Sequence, residues 1–353
     1  MRSPRFRGRF ASRIPHPASP QLRARSLPAS RRRGINENYG RELMELHTLG
    51  VNGGYTQQDV INVARAFTGW TLQAPRQGGG FIFRPQMHDA GPKVVLGHTL
   101  PAGRGMEDGE QVLDILSSSP ATAHFISMEL VRRFVSDSPP PALVGRAADT
   151  FTRTNGDIRE VLRTIFYSPE FFSRAAYKAK VKSPFELVAS ALRAVGAEPD
   201  TTPRTARIVA RLGEPLFMHR DPNGYPETGD AWINTGSILN RINFGLAVAS
   251  GRIPGVSLAR WKRNTNLANA PLAQQVDTVI ADILGGEASP DTRKVLMEGE
   301  NPLLGMRDAG GGMRNGLGGA DSLATSRFRI PHPASRIPTL LGLALGAPEF
   351  QRR

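Results

Sequence analysis

Apolar residues recur at helical spacing over most of this 353-residue chain. From Asn36 to His47 the run Asn-Glu-Asn-Tyr-Gly-Arg-Glu-Leu-Met-Glu-Leu-His reads as a helix. Asn36 or Asn38 caps its start, Gly50 follows its end, and Leu43 and Leu46, with Tyr39, share its apolar face. Thr56-Gln57-Gln58-Asp59 has the form of a capping box. The helix after it carries Val60, Val63, Ala64 and Phe67 on one side and ends at Gly69-Trp70.

The period then changes. Residues 71–97 hold three short β-prone runs, Thr71-Leu72-Gln73, Phe81-Ile82-Phe83 and Val94-Val95-Leu96, separated by Gly and Pro. They predict a hairpin or a three-stranded flap, with Met87-His88-Asp89 in a loop. Beyond it the pattern is helical again. The spacing predicts helices over 107–117, 119–135, 141–153, 158–167, 184–195, 203–212, 235–250, 271–284, 290–298 and 338–345, and a short one opening at Ser168-Pro169. The fold class is therefore mainly α, an irregular helical array with a small β excursion.

Composition adds limits. Apolar residues make up 39% of the chain, enough for a core. The longest apolar runs are too short for a transmembrane helix. Cysteine is absent, which excludes disulfides, thiol nucleophiles and Cys-ligated zinc. The net charge of +14 suggests nucleic acid until it is located. Residues 1–35 hold ten Arg and no acid, and residues 324–353 hold five Arg and one Glu. What remains between them is balanced, so no specific nucleic-acid face is expected.

The same ends share a heptapeptide, Arg-Ile-Pro-His-Pro-Ala-Ser, at Arg13–Ser19 and at Arg329–Ser335. Its prolines oppose helix and it has no apolar period. The expected organisation is a disordered tail at 1–34, a helical domain at 35–298, a disordered Gly/Pro-rich insertion at 299–337, and a last helix of the same domain at 338–353. The Arg-rich start lacks the apolar stretch of a secretory signal.

Several motifs in order resemble the bacterial family known as domain of unknown function 1800. They are NENYGRELMELHTLGVNGGYTQQDVINVARAFTGW from Asn36, HDAGPKVVLG from His88, SPEFF from Ser168, KVKSPFELVASALRAVG from Lys180, GYPETGDAWINTGSILNRINFGLA from Gly224, and LALGAPEFQRR at the end. The resemblance covers nearly all of 34–298 plus the last fifteen residues. It implies a further helical region with a Trp-His segment ahead of the first motif, so the chain is expected to represent the C-terminal portion of a longer protein. Members are often exported, and often encoded beside a sulfatase- or phosphatase-like protein, which makes that protein a candidate partner. The resemblance implies no reaction.

Candidate chemistry is sparse. Glu42 and Glu45 lie three apart on one helix face; Arg41 precedes them, and His47 points elsewhere unless the helix ends there. His88-Asp89 pairs an imidazole with a carboxylate in a loop. Glu42, Glu45, His88 and Asp89 would together supply oxygen and nitrogen ligands to a divalent metal, with Glu42, His47 and Arg41 as candidate catalytic groups. The competing account has the carboxylates of Glu42 and Glu45 paired with Arg41, Arg65 or another Arg, and His88-Asp89 in an Asx-type turn. Tyr225-Pro226 and Trp232 read as packing and turn residues. Gly78-Gly79-Gly80 lacks the strand-to-helix context of a phosphate loop. Three functions follow: a helical scaffold that binds a partner, a metal-dependent or acid–base hydrolase-like enzyme, or a truncated fragment without function.

Overall fold

The structure is a computed structural model and describes residues 35–74, 76, 78–198, 200–258, 261, 267–299 and 336–353. Both copies of the heptapeptide and the Arg-rich start lie outside the described residues. Twelve α-helices and two antiparallel hairpins are found among those described. The chain is mainly α, as the periodicity predicts.

Helices α1 (Glu37–Glu45) and α2 (Gln57–Ala66) begin with the caps that the sequence announces. The Asn36 side chain accepts from Tyr39 N–H, and Thr56 and Asp59 form a reciprocal capping box. The residues that α1 buries fully are Gly40 and Met44; Leu43 packs half-buried against the same core, and the exposed Tyr39 meets Phe67 edge-on at 5.4 Å. The α1 backbone approaches α2 so closely that a β-carbon on Gly40 would stand 2.7 Å from the carbonyl oxygen of Val60. Glycine therefore sets the contact line, and the larger apolar residues flank it.

The β excursion contains four strands rather than two or three. β1 (Trp70–Leu72) pairs with β2 (Phe81–Phe83), and β3 (Lys93–Val95) pairs with β4 (His98–Leu100). The run predicted at 94–96 overreaches, because Leu96 and Gly97 both have positive φ and form a two-residue turn. The missed strand β4 is polar at His98-Thr99 and buries only Leu100. Four further helices complete the first half: α3 (Glu107–Ser117), α4 (Pro120–Phe134), α5 (Pro141–Arg153) and α6 (Ile158–Phe166). The short helix expected at Ser168-Pro169 is a series of turns through residue 178.

The second half contains α7 (Pro184–Ala194), α8 (Arg204–Arg211), α9 (Thr235–Ala249), α10 (Leu272–Ile283), α11 (Pro290–Glu298) and α12 (Ile337–Gly346). The last helix begins one residue before the predicted Pro338, and its first residue, Ile337, is fully buried. Apolar burial falls into three clusters. One joins α1, α2, β3, β4 and α3 through Met44, Val63, Phe67, Val95, Leu100 and Val112. A second joins α4, α5 and α6 through Val131, Leu143, Ala147 and Ile165. The third and largest holds α7 to α12 together.

Polar ties join the halves. Arg133 at the end of α4 pairs with Glu186 on α7 and Glu227, and Arg353 Nε reaches the same Glu186 carboxylate at 3.0 Å. The backbone of Arg353 exchanges both hydrogen bonds with Lys180. Glu349 caps the start of α11, accepting from Ser289 N–H and from the Thr292 hydroxyl.

Helices α9 and α12 also cross at close range. A β-carbon on Gly245 would lie 3.0 Å from Gly342 O and 3.1 Å from Gly346 N. Gly245→Val should lower the unfolding free energy by about 1–3 kcal/mol, read from chemical melts, because the two backbones must separate.

Candidate functional site

The site is built from α2 outward. Its apolar side faces the first core, and a polar stripe at every third residue faces the segment 88–96. Asp59 Oδ1 accepts from Leu96 N–H at 2.8 Å. Asn62, 5% exposed, donates Nδ2 to the carbonyl of Val94 at 2.8 Å. Arg65 binds both carboxylate oxygens of Asp89, at 2.8 and 3.1 Å. Thr68 Oγ1 accepts from Asp89 N–H at 2.8 Å, and its carbonyl lies 2.8 Å from His88 Nδ1. Four positions spaced by three thus meet partners that run back along the chain, so the segment lies antiparallel to the helix.

Gly69 makes this approach feasible. Its φ of +85° turns the chain out of α2, and a β-carbon there would lie 2.8 Å from Arg84 O and 3.3 Å from the His88 β-carbon.

Beneath the stripe sits a buried ionic node. Lys93, at 1% exposure, donates from Nζ to Asp108 Oδ2 at 2.7 Å, to Gly91 O at 2.9 Å, and to Asp89 O. The three ammonium protons thus have three acceptors. Asp108 is fully buried in the first turn of α3, where the helix dipole also favours a carboxylate. Arg104 Nε approaches its other oxygen at 3.2 Å. His88 Nε2 lies 3.4 Å from Asp108 Oδ2 with its side chain 2% exposed. The indole of Trp70 packs against Gly109, next in sequence.

A hydrogen bond from Arg65, against the opposing effect of burial, holds the Asp89 carboxyl down at about 2, with help from Gly91 N–H. This carboxylate orders the loop that His88 and Asp89 share.

The candidates from the sequence divide accordingly. His88 and Asp89 are brought together with Asp108, Lys93 and Arg65. Glu42 and Glu45 are elsewhere on α1: Glu45 accepts from the Tyr55 hydroxyl at 3.3 Å, and the half-buried Glu42 carboxylate has no hydrogen bond or ion pair among the described residues. Arg41 is exposed and donates to Gln57 at 2.5 Å, and His47 is exposed. The expected Arg65 partner is Asp89, not a carboxylate on α1. Among the described residues no group of three or more His, Asp or Glu is placed to hold a metal ion. Tyr225 and Trp232 pack as expected, donating to the carbonyls of Pro215 and Pro226. Gly78, Gly79 and Gly80 are exposed in the β1–β2 connection.

Sequence reasoning missed Asn62, Thr68, Lys93, Arg104 and Asp108. The polar stripe at 59, 62, 65 and 68 on a helix already amphipathic on its other face was the available signal.

A profile for proteins of unknown function, DUF1800, matches residues 13–352. The chain belongs to the DUF1800 family. The match takes in the Arg-rich start from residue 13, ahead of the motif at Asn36. No curated protein and no solved structure matches this DUF1800 chain.

An open depression of about 540 Å³ lies elsewhere, lined by Arg174, Lys178, Glu287, Ser289, Arg293 and Glu349. Its charges already have partners, and Lys178 donates to the carbonyl of Leu284. Arg174 binds Glu287, Arg293 binds Asp277, and Glu349 is spent on the α11 cap.

Asp108→Ala should lower stability by about 3–5 kcal/mol in a chemical melt, since it strands a buried ammonium. The pH effect of Asp89 has a definite sign. Its folded value lies below the ordinary 3.8, so the stability it adds is complete above that value and is lost as pH falls towards 2. Asp89→Asn should flatten the acid limb of a pH–stability curve between about pH 4 and 2.

Proposed function

We propose that this DUF1800 chain is a non-catalytic helical scaffold that binds a partner protein, and that its polar motif is a buried structural network. The observation that carries this reading is the enclosure of His88 and Asp108. A general acid or base must reach the proton that it transfers. His88 has 2% of its side chain exposed and Asp108 has 1%. Lys93 spends its three protons on internal acceptors, and Asp89 is clamped by Arg65. Lys93, Asp89 and His88 Nδ1 each engage backbone groups, which is what a scaffold needs of them.

The metal-dependent reading requires Glu42 and Glu45 to join His88 and Asp89. The arrangement on α1 does not favour it, and the ion pair with Arg65 competes for the Asp89 oxygens. The partner implied by the family resemblance is the sulfatase- or phosphatase-like protein encoded beside its members.

The test combines metal content with melting. Purified protein should contain far less than one equivalent of any transition metal. Glu42→Ala should melt like the parent, and Asp108→Ala should melt much lower to the same extent with and without a chelator. The chain and the neighbouring protein should co-elute on size exclusion in the presence of that chelator. A stoichiometric metal lost in Glu42→Ala or Asp89→Asn would overturn the scaffold reading in favour of the metal site, and separate elution would remove the named partner.

A further inference from the structure

Between 203 and 220 the chain carries four Arg and one Glu, although the middle of the sequence is balanced in charge. Arg204, Arg207 and Arg211 fall at i, i+3 and i+7 of α8, on the side opposite its buried Val209. All three are exposed, as is Arg220, and no ion pair or hydrogen bond engages the four side chains among the described residues. The single acid, Glu214, is turned inward to accept from Phe185 N–H at 2.8 Å.

The loop that leaves α8 is braced and yet presents apolar side chains. Tyr225 OH donates to Pro215 O at 2.6 Å, Met218 N–H donates to Pro215 O, and the His219 ring packs on Tyr225 at 4.5 Å. At its tip Phe217 stands at φ +60°, a left-handed backbone that a bulky residue adopts at a cost. The Phe217 side chain is fully exposed, and Met218 is 71% exposed. Phe185, tied to the same loop through Glu214, is also half out. Phe217 lies six positions after Arg211, so the tip stays within about 20 Å of the arginine row.

We propose that this loop and α8 form a peripheral docking surface for an anionic lipid bilayer, with Phe217 and Met218 entering the interface and the arginine row facing the headgroups. Each side of the device has its physical partner. Apolar tips gain by leaving water for the acyl boundary, and free guanidinium groups are drawn to a negatively charged surface. An acidic protein would satisfy the arginines but would not call for two adjacent, outward-held apolar side chains on a strained backbone. No helix among the described residues is long and apolar enough to cross a membrane, so the contact would be superficial.

The Arg-rich start of the chain would adhere to anionic vesicles by itself, so the test must report on the loop. The chain has no cysteine. Met218→Cys in the full chain therefore accepts one environment-sensitive fluorophore, and Thr152→Cys on the exposed side of α5 serves as the control. Vesicles of phosphatidylcholine with phosphatidylserine should brighten and blue-shift the label at 218 and leave that at 152 unchanged. Pure phosphatidylcholine should do neither. In the labelled chain, Arg204→Gln with Arg207→Gln should weaken the transition about tenfold or more without changing the melt. Phe217→Ser should also weaken it about tenfold. A chain that sediments with the vesicles while the label at 218 stays in water would overturn the proposal in favour of adhesion by the Arg-rich start. No vesicle response at all would overturn it in favour of an acidic protein partner.

Discussion

The ammonium of Lys93 against the carboxylate of Asp108 is the contact on which the first half of the fold depends. Neither strand pair is large enough to stand alone, since two-stranded hairpins in water are marginal. What holds β3 and β4 in place is apolar burial of Val95 and Leu100 above and the ion pair below. The pair is dry, so it must be complete: each charge would be costly without the other, and the remaining protons of Lys93 need the carbonyls of Asp89 and Gly91. Those carbonyls come from the loop that the α2 stripe orders through Arg65 and Thr68. The ion pair, the loop and the stripe therefore support one another, and removing one exposes the cost of the rest.

The same chemistry explains why His88 and Asp89 looked like a site. A histidine beside an acid in a Gly/Pro-flanked loop is the signature of proton or metal chemistry, and equally of a loop whose backbone polar groups need internal partners. Burial separates the two readings. Here the imidazole is inside, wedged between the Thr68 carbonyl and Asp108, and the ring of Phe83 covers it edge-on at 5.6 Å.

The helices were legible because their signals are local. Capping at Asn36, Thr56, Ser183 and Ser289, and Pro in the first turn of α4, α7 and α11, lie within a few residues of what they control. The buried face of α1 was less so. Gly40 carries no apolar side chain to count, yet it marks the line of closest approach. The node was not legible for a different reason. Lys93 sits in a β-prone run and Asp108 in an acidic first turn, each an ordinary surface position by pattern. Only the folding back of 88–96 along α2, through contacts 20 to 37 residues apart in sequence, brings Lys93 to Asp108. Glu42 and Glu45 showed the converse, a local spacing that no distant segment completes.

A double-mutant cycle on Lys93 and Asp108 tests the central claim most directly. Lys93→Met and Asp108→Leu should each destabilise strongly, and the double variant should recover much of the loss, because two apolar groups leave no stranded charge. Additive losses, with the double variant less stable than either single one, would contradict a paired structural node and would return these residues to some other role.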